Sequence, residues 1–216
     1  MKLLTELANK YNTDKGTNTN PSHGFSEIYH DNLYDKREDI LRVLEIGVDK
    51  GGSLRMWRDF LPNSTVYGLD VQRHQLISED RIVTCYANQS NIEDLDNFIK
   101  EHGGNFDLII DDGGHHTIHQ QISLGFLFKY LNAGGTYIVE DLHTSHYPDW
   151  MSEWGYNVSY IDSAYNVLKR IEGGEGLSTK HIPESDTKYI IDNIKSIKIF
   201  DRDNDKEHIT SIIIKK

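Results

Sequence analysis

The sequence predicts an α/β fold in which a largely parallel sheet is covered by helices on both faces. Short runs rich in β-branched residues alternate with helical stretches between residues 42 and 141, and this alternation is typical of parallel sheets. The first run, Arg42–Val48, leads into the glycine loop Gly47–Gly52, where the chain must turn sharply. The 216 residues contain no internal repeat and no Pro/Ser-rich linker, so we expect a single domain over residues 1–216.

Four further strands and three helices complete the alternation. The strands are predicted at Thr65–Asp70, Arg81–Tyr86, Phe106–Asp112 and Thr136–Asp141, and the helices at Ser53–Leu61, Asn91–Lys100 and His116–Leu131. Either Ser90 or Asn91 caps the second of these helices. Near the end of the chain, Ser196–Phe200 and Ile209–Ile214 flank a polar turn and predict an antiparallel hairpin. Five parallel strands and a C-terminal hairpin give the order of the seven-stranded, Rossmann-like class I methyltransferase sheet.

Two regions lie outside this alternation. Residues 1–40 form an N-terminal helical segment, with helices expected over Met1–Tyr11 and Phe25–Tyr34. Residues 143–185 are rich in aromatic residues, Gly and Ser, and one helix is predicted near Tyr160–Ile171. We interpret residues 143–185 as an insertion, or lid, over the active face.

The charge and the cysteine content restrict the function classes. A formal net charge of −11 argues against nucleic acid or an anionic membrane as the partner, and it favours a small uncharged substrate, a cationic cofactor or a metal ion. The single Cys85 forms no intrachain disulfide, which favours a reducing compartment. No stretch approaches the ~20 apolar residues that span a bilayer, and Met1–Glu6 lacks the apolar core of a signal peptide. We therefore expect a cytoplasmic protein.

Polar residues at the predicted strand ends indicate a cofactor site, because open α/β sheets bind ligands beyond the carboxyl ends of their strands. Gly47 allows the backbone to approach a ligand closely, although the dinucleotide fingerprint G-x-G-x-x-G is absent. Asp70 closes the second strand, where a carboxylate can accept both hydroxyls of a ribose. Asn88, Gln89 and Ser90 follow the third strand, and their side chains can bond an adenine edge or, for Ser90, cap a helix.

A second constellation indicates a metal site. Asp111 and Asp112 end the fourth predicted strand, and Glu140 and Asp141 end the fifth. Carboxylates crowded at neighbouring strand ends repel one another unless a cation lies among them, and their hard oxygens suit Mg²⁺, Mn²⁺ or Ca²⁺.

The histidines around this constellation allow more than one interpretation. His115 stands three residues past Asp112 and is a natural general base, or alternatively only orients Asp112. Together, His115, His116, His119 and His143 would suit a softer metal such as zinc, although no H-E-x-x-H pattern is present. We interpret His119 as a residue of the helix surface.

Together these residues resemble one family, the metal-dependent sugar O-methyltransferases that tailor macrolides and related glycosides. The segments that carry the resemblance are Lys10–Gly16, Val43–Val48, Gly51–Trp57, Val66–Asp70, Asn88–Ser90, Phe106–His116 and Val139–Ser145. The joint pattern Asp-Asp-Gly-x-His-His with Glu-Asp-Leu-His-Thr-Ser is specific. Gly114 departs from the Ser that is usual in this motif. The large extra N-terminal domain of the macrolide enzymes has no counterpart here, so substrate selection and assembly do not carry over.

The resemblance implies roles for individual residues. Its magnesium ligands match Asp112, Glu140 and Asp141, and its catalytic base matches His115. Its contacts to S-adenosyl-L-methionine match Lys15, Glu45, Gly47, Asp70, Asn88, Gln89 and Ser90, with Asp111 near the sulfonium end. The resemblance further implies that the metal is Mg²⁺ or Mn²⁺ and that Asp112 acts in catalysis by holding it.

The expected function is methyl transfer from S-adenosyl-L-methionine to a sugar hydroxyl of a glycoside or polysaccharide precursor. The expected partner is a small-molecule or glycan substrate, and a homo-oligomer is compatible with an enzyme of this type. The rings of Trp150, Trp154, Tyr156 and Tyr160 either stack on the acceptor, which we favour, or belong to the core. Two alternatives stay open: a catechol-type O-methyltransferase that uses the same metal logic, and a catalytically silent cofactor-binding partner subunit.

Overall fold

The computed structural model describes residues 1–19, 22–147, 149, 151, 160–202 and 208–216. The chain divides into two compact units, Met1–Tyr86 and Ala87–Lys216, called here the first and the second unit. A single domain over residues 1–216 therefore stays a prediction.

The first unit contains the N-terminal helical segment and the glycine loop. Its helices are α1 (Leu3–Lys10), α2 (Phe25–Leu33) and α3 (Gly52–Phe60), and its strands are β1 (Arg42–Ile46), β2 (Thr65–Asp70), β3 (Ser78–Glu79) and β4 (Ile82–Tyr86). The strand order is β3-β4-β2-β1. Strand β2 pairs in parallel with both β1 and β4, as predicted, and β3 pairs antiparallel with β4. Strand β3 was not predicted, because two exposed polar residues give no periodic signal.

The core of the first unit explains why the N-terminal segment is helical. The fully buried Leu4, Phe25, Tyr29 and Trp57 bring α1 and α2 against α3. The rings of Tyr29 and Trp57 lie 6.0 Å apart, within the range of favourable aromatic contacts. Both predicted N-terminal helices are confirmed, since each buries one apolar face in this cluster.

A polar network fixes the start of the chain on α3. Asp59 on α3 accepts hydrogen bonds from the Tyr11 hydroxyl (2.5 Å), the Lys10 ammonium (3.1 Å) and the Arg58 guanidinium (2.9 Å). Partial burial opposes ionisation of Asp59, but these hydrogen bonds outweigh it and lower its pKa to about 2 from 3.8. The folded state therefore favours the charged carboxylate, and stability gained in this way is present above pH ~4 and lost as the pH falls towards 2.

Replacing Asp59 with asparagine is expected to destabilise the protein at pH 7 by about 1–2 kcal/mol. The pKa shift corresponds to roughly 2 kcal/mol at ~1.4 kcal/mol per unit, and partial solvent screening reduces it. Urea unfolding at pH 7 and at pH 2.5–4 measures the difference, which should shrink at the acid end. Asp31→Asn is the matched control, because its ion pair with Lys2 is more exposed. Equal destabilisation by the two variants would contradict the account.

The second unit contains the other four strands. Its helices are α4 (Ile92–His102), α5 (Thr117–Leu127), α6 (Ala164–Glu172) and α7 (Glu184–Asn193), and its strands are β5 (Phe106–Asp111), β6 (Leu131–Val139), β7 (Ile194–Asp201) and β8 (Ile209–Lys215). The order is β5-β6-β8-β7, with β5 and β6 parallel and β8 antiparallel to both neighbours. The C-terminal hairpin is confirmed, and its last strand lies between β6 and β7.

Several boundaries in the second unit differ from the prediction. Helix α5 ends at Leu127 rather than Leu131, and a 3₁₀ turn, Phe128–Tyr130, follows it. The buried ammonium of Lys215 donates to the carbonyls of Phe128 (3.3 Å) and Leu131 (2.6 Å). These two carbonyls therefore have a hydrogen-bond donor without continuing the helix. Strand β6 begins at Leu131, five residues earlier than predicted, and a register shift near Phe106 accommodates its glycines.

The region predicted as an insertion is partly helical. Helix α6 begins after Ser163, whose hydroxyl accepts from Asn166 N, and it packs against α5 and β7 through Val167, Leu168 and Ile171. Helix α7 was not predicted, because it buries only Ile190 and so shows little periodicity. Trp150, Trp154, Tyr156 and the side chain of Tyr160, expected to stack on the acceptor, lie outside the described residues. The role of residues 143–185 as a lid stays a prediction.

Candidate active site

Asp70 lies at the end of β2 and is tied to the glycine loop. Its carboxylate accepts hydrogen bonds from Val48 N (2.9 Å) and Gln72 N (2.7 Å). Gly47, with a φ of 97°, turns the chain beside it and donates its amide to the Leu69 carbonyl (2.8 Å). Two backbone amides thus fix the orientation of a half-buried carboxylate whose other lone pairs can accept ligand hydroxyls.

Glu45 and Lys15 are buried together in the first unit. Their charged atoms lie 3.6 Å apart, and neither side chain is more than 1% exposed. Glu45 also accepts from the Ser53 hydroxyl (2.9 Å) at the start of α3 and from the Trp57 indole (3.4 Å) in the middle of that helix. Buried charges need such partners, since desolvation otherwise costs more than the pair gains. The sequence predicted two cofactor contacts here, and the structure adds that the two residues pair with each other.

The stretch after β4 is held by its own side chains. Asn88 Oδ1 accepts from the amide (3.0 Å) and the hydroxyl (2.8 Å) of Ser90. Asn91, rather than Ser90, caps α4, because its Oδ1 accepts from Glu93 N (2.9 Å). Of the two capping residues that the sequence allowed, the structure selects Asn91.

Gln89 and Asp111 form a buried bridge to the loop that follows β5. Gln89 Nε2 donates to Asp111 Oδ1 (2.9 Å), and Gln89 Oε1 accepts from Gly114 N (2.7 Å). Asp111 is fully buried and also accepts from the Ser123 hydroxyl. Burial raises the pKa of Asp111, and the bonds from Ser123 and Gln89 oppose that rise. Both ends of the Gln89 amide are therefore used within the protein.

Three side chains after β5 and β6 form a group that can hold a metal ion. Asp112, His115 and Asp141 each offer a ligand atom, and these atoms all lie within 4.8 Å of one another. His115 Nε2 is 3.4 Å from Asp141 Oδ2, and His143 Nδ1 is 3.7 Å from Asp141 Oδ1. Two carboxylates and one imidazole form a donor set that suits a divalent cation. The sequence named all three group members, but it gave His115 the role of base.

Glu140, the third predicted ligand, is not a member of this group. It is fully buried at the end of β6. Its amide donates to the Asp111 carbonyl (3.0 Å) and its carbonyl accepts from Gln120 Nε2 (2.9 Å), so its backbone is held between β5 and α5. Its role as a metal ligand stays a prediction.

The other histidines do not form a three-histidine metal group in the described part of the chain. His116 Nδ1 accepts from Ile118 N (3.3 Å), so His116 caps α5. His119 stacks on His116 with ring centroids 4.6 Å apart and is half-buried rather than a plain surface residue. Burial lowers the pKa of both imidazoles, which favours their neutral forms.

Two residues of the site were not singled out from the sequence. The Ser123 hydroxyl donates a hydrogen bond to the Asp111 carboxylate. The Thr144 hydroxyl lies within hydrogen-bond distance of the backbone carbonyls of His115 and Asp141. Thr144 belongs to the segment Val139–Ser145 that carries the resemblance, so a signal existed for it. Ser123 lies in the middle of α5 and has no such signal.

Comparison with known proteins decides the family. Residues 27–170 match the family model described as FtsJ-like methyltransferase, which is more than half of the chain. The chain belongs to the FtsJ-like methyltransferase family. In this methyltransferase, the predicted class I fold is confirmed. None of the helices described is long and apolar enough to cross a bilayer.

Sugar O-methyltransferases are among the similar proteins. The methyltransferase is 38% identical over 152 residues to mycinamicin VI 2''-O-methyltransferase of Micromonospora griseorubida, covering 67% of this chain and 37% of that protein. It is 36% identical over 135 residues to a tetracenomycin 3'-O-methyltransferase of Streptomyces olivaceus that acts on a 2-methoxy-rhamnosyl compound, covering 59% and 34% of the two chains. The chain thus spans about a third of the length of these curated relatives.

A solved structure extends the likeness over almost the whole chain. It is the MycE methyltransferase from the mycinamycin biosynthetic pathway, in complex with Mg, S-adenosylhomocysteine (SAH) and mycinamycin VI. The TM-score is 0.78 at 30% identity, covering 98% of this methyltransferase and 54% of that chain.

Proposed function

We propose that the chain is an S-adenosyl-L-methionine-dependent and Mg²⁺-dependent O-methyltransferase that acts on a sugar hydroxyl of a glycoside or polysaccharide precursor. The group of Asp112, His115 and Asp141 carries the proposal, because it combines a cation-binding donor set with a base candidate. Similarity to enzymes named for methylating macrolide and tetracenomycin sugars supports this acceptor class. A net charge of −11 supports a small-molecule or glycan acceptor over nucleic acid.

In the first unit, we propose that Asp70 binds the ribose hydroxyls of the cofactor. Its carboxylate is already oriented by two backbone amides, so little ordering is needed when a diol arrives. Gly47 lets the backbone approach the ligand, and the buried pair Lys15–Glu45 holds the start of α3 beside it. The cofactor roles of Asn88, Gln89, Ser90 and Asp111 rest on the family resemblance.

The carboxylates of Asp112 and Asp141 fit a hard divalent cation such as Mg²⁺ or Mn²⁺. Two negative groups whose ligand atoms lie within 4.8 Å repel each other unless a positive charge lies between them. We propose both residues as ligands, with Glu140 as the third on the family resemblance. When bound, the cation would polarise an acceptor hydroxyl and lower its pKa.

His115 is proposed as the general base. A sugar hydroxyl is almost fully protonated at neutral pH, so its proton must leave as the new bond to the methyl carbon forms. When His115 takes that proton it becomes an imidazolium, and the Asp141 carboxylate 3.4 Å from Nε2 stabilises the positive charge. In the same step the bond between the methyl carbon and the sulfur of S-adenosylmethionine breaks. The sulfur keeps the electron pair, so the sulfonium charge is lost and S-adenosylhomocysteine is formed.

The acceptor class is tested with two diols of matched chemistry. Purified protein is incubated with S-adenosylmethionine and Mg²⁺ together with either methyl α-L-rhamnoside or catechol, and products are identified by mass spectrometry. We expect methylated rhamnoside, and no product when a chelator removes the cation. Methylation of catechol alone would identify a phenolic O-methyltransferase instead. S-adenosylhomocysteine binding without turnover on either diol or on further vicinal diols would indicate a silent partner subunit.

A further inference from the structure

Thr144 is a buried residue that joins the two chain segments of the proposed metal group. It lies in the 3₁₀ turn Leu142–Ser145 and is 1% exposed. Its Oγ1 is 2.9 Å from the carbonyl oxygen of His115 and 2.9 Å from that of Asp141. The Thr144 amide also donates to the Asp141 carbonyl (3.1 Å). One hydroxyl, which shares its single proton between two accepting carbonyls, therefore bridges segments that are 29 residues apart in sequence.

Both residues bridged by Thr144 have an unfavourable backbone conformation. His115 has a φ of 48° and Asp141 a φ of 54°, in the left-handed region where residues with a Cβ are disfavoured. Such conformations persist only where the surrounding structure holds them, and they cluster at functional sites. The Thr144 hydroxyl contacts the carbonyl of each residue, and the position of that carbonyl changes when φ rotates. The hydroxyl therefore restrains both angles.

The direction of the two side chains depends on these backbone angles. His115 Nε2 and Asp141 Oδ2 lie 3.4 Å apart while their backbones adopt left-handed conformations. If either segment relaxed to a common conformation, its Cα–Cβ bond would point elsewhere, and the base candidate His115 and the proposed ligand Asp141 would separate. Neighbouring Ser145 is equally buried, but its hydroxyl donates to the Leu142 carbonyl and accepts from Tyr165 N instead.

We propose that Thr144 is a positioning residue: its hydroxyl fixes the backbones of His115 and Asp141 in the left-handed conformation, and by holding the proposed ligand Asp141 it sets the affinity of the site for a divalent cation. The inference rests on the proposed function, since it assumes that the group binds such a cation.

The test is a Mn²⁺ titration of the full chain, followed by electron paramagnetic resonance of the free ion. Thr144→Val keeps the shape and removes the hydroxyl, and it is expected to weaken Mn²⁺ binding about 10–100-fold, as the loss of an outer partner of a metal ligand does. Thr144→Ser restores the hydroxyl and should bind within about 3-fold of wild type. Ser145→Ala is the matched control and should leave the affinity unchanged.

Each outcome decides the inference. Wild-type affinity in Thr144→Val, or an equal loss in Thr144→Ser or Ser145→Ala, would overturn it while leaving the proposed function intact. No Mn²⁺ binding by the wild-type chain would overturn the proposed function and the inference with it. If Thr144→Val does not unfold cooperatively, Thr144→Ala replaces it, with the same loss expected and the same Ser rescue required.

Discussion

Replacing Asp112 with asparagine is expected to weaken Mg²⁺ binding at least 100-fold and to reduce methyl transfer by a similar factor or more. The substitution keeps the shape of the side chain and removes one of the two carboxylate charges of the metal group. A direct ligand should matter more than its outer partners, whose loss costs roughly 10–100-fold in affinity. Asp112 is half-buried on a loop, so the free energy of unfolding should change little.

Calorimetric titration of Mg²⁺ and the rate at saturating S-adenosylmethionine measure these two effects. Asp107→Asn is the matched control, because Asp107 is a half-buried carboxylate on β5, the strand that precedes Asp112, where it accepts from Asn132 Nδ2 (2.7 Å). The control should retain Mg²⁺ binding. Wild-type Mg²⁺ affinity in Asp112→Asn would exclude Asp112 as a ligand.

His115→Gln is expected to lower kcat about 10²–10⁴-fold, the range that a general base contributes. His119→Gln, a half-buried histidine on the following helix, should keep the wild-type rate.

The same variant separates two roles for His115, since His115 belongs to the group that can hold a metal. Replacing a base leaves the Mg²⁺ affinity close to wild type, whereas replacing a metal ligand weakens that affinity. We expect an affinity within about 3-fold of wild type, well below the effect of losing an outer metal partner. A rate unchanged by the substitution would contradict the proposal of His115 as base.

Much of the fold was predictable because buried strands appear in the sequence as apolar runs and amphipathic helices as periodic apolar positions. The runs that became β1 and β5 consist mostly of buried apolar residues, and the polar residues at the ends of these runs mark the sheet edge. Strand β3 and helix α7 bury almost nothing, so no periodic signal exists for them.

The candidate site was predictable in its residue types and not in its contacts. Asp112 and Asp141 could be assigned to one group, because carboxylates at the ends of parallel neighbouring strands meet. The bridge made by Gln89 depends on side-chain directions, and the role of Thr144 depends on two backbone angles. Neither side-chain directions nor single backbone angles can be predicted from residue type alone.

Calorimetry of the wild-type chain tests the central claim most directly. S-adenosylhomocysteine is titrated into metal-free protein, and Mg²⁺ is then titrated into the complex. The account predicts one saturable isotherm for each ligand, with the Mg²⁺ isotherm lost in Asp112→Asn and the S-adenosylhomocysteine isotherm retained. Absence of S-adenosylhomocysteine binding by the folded wild-type chain would contradict the claim that this protein is a methyltransferase of the proposed kind.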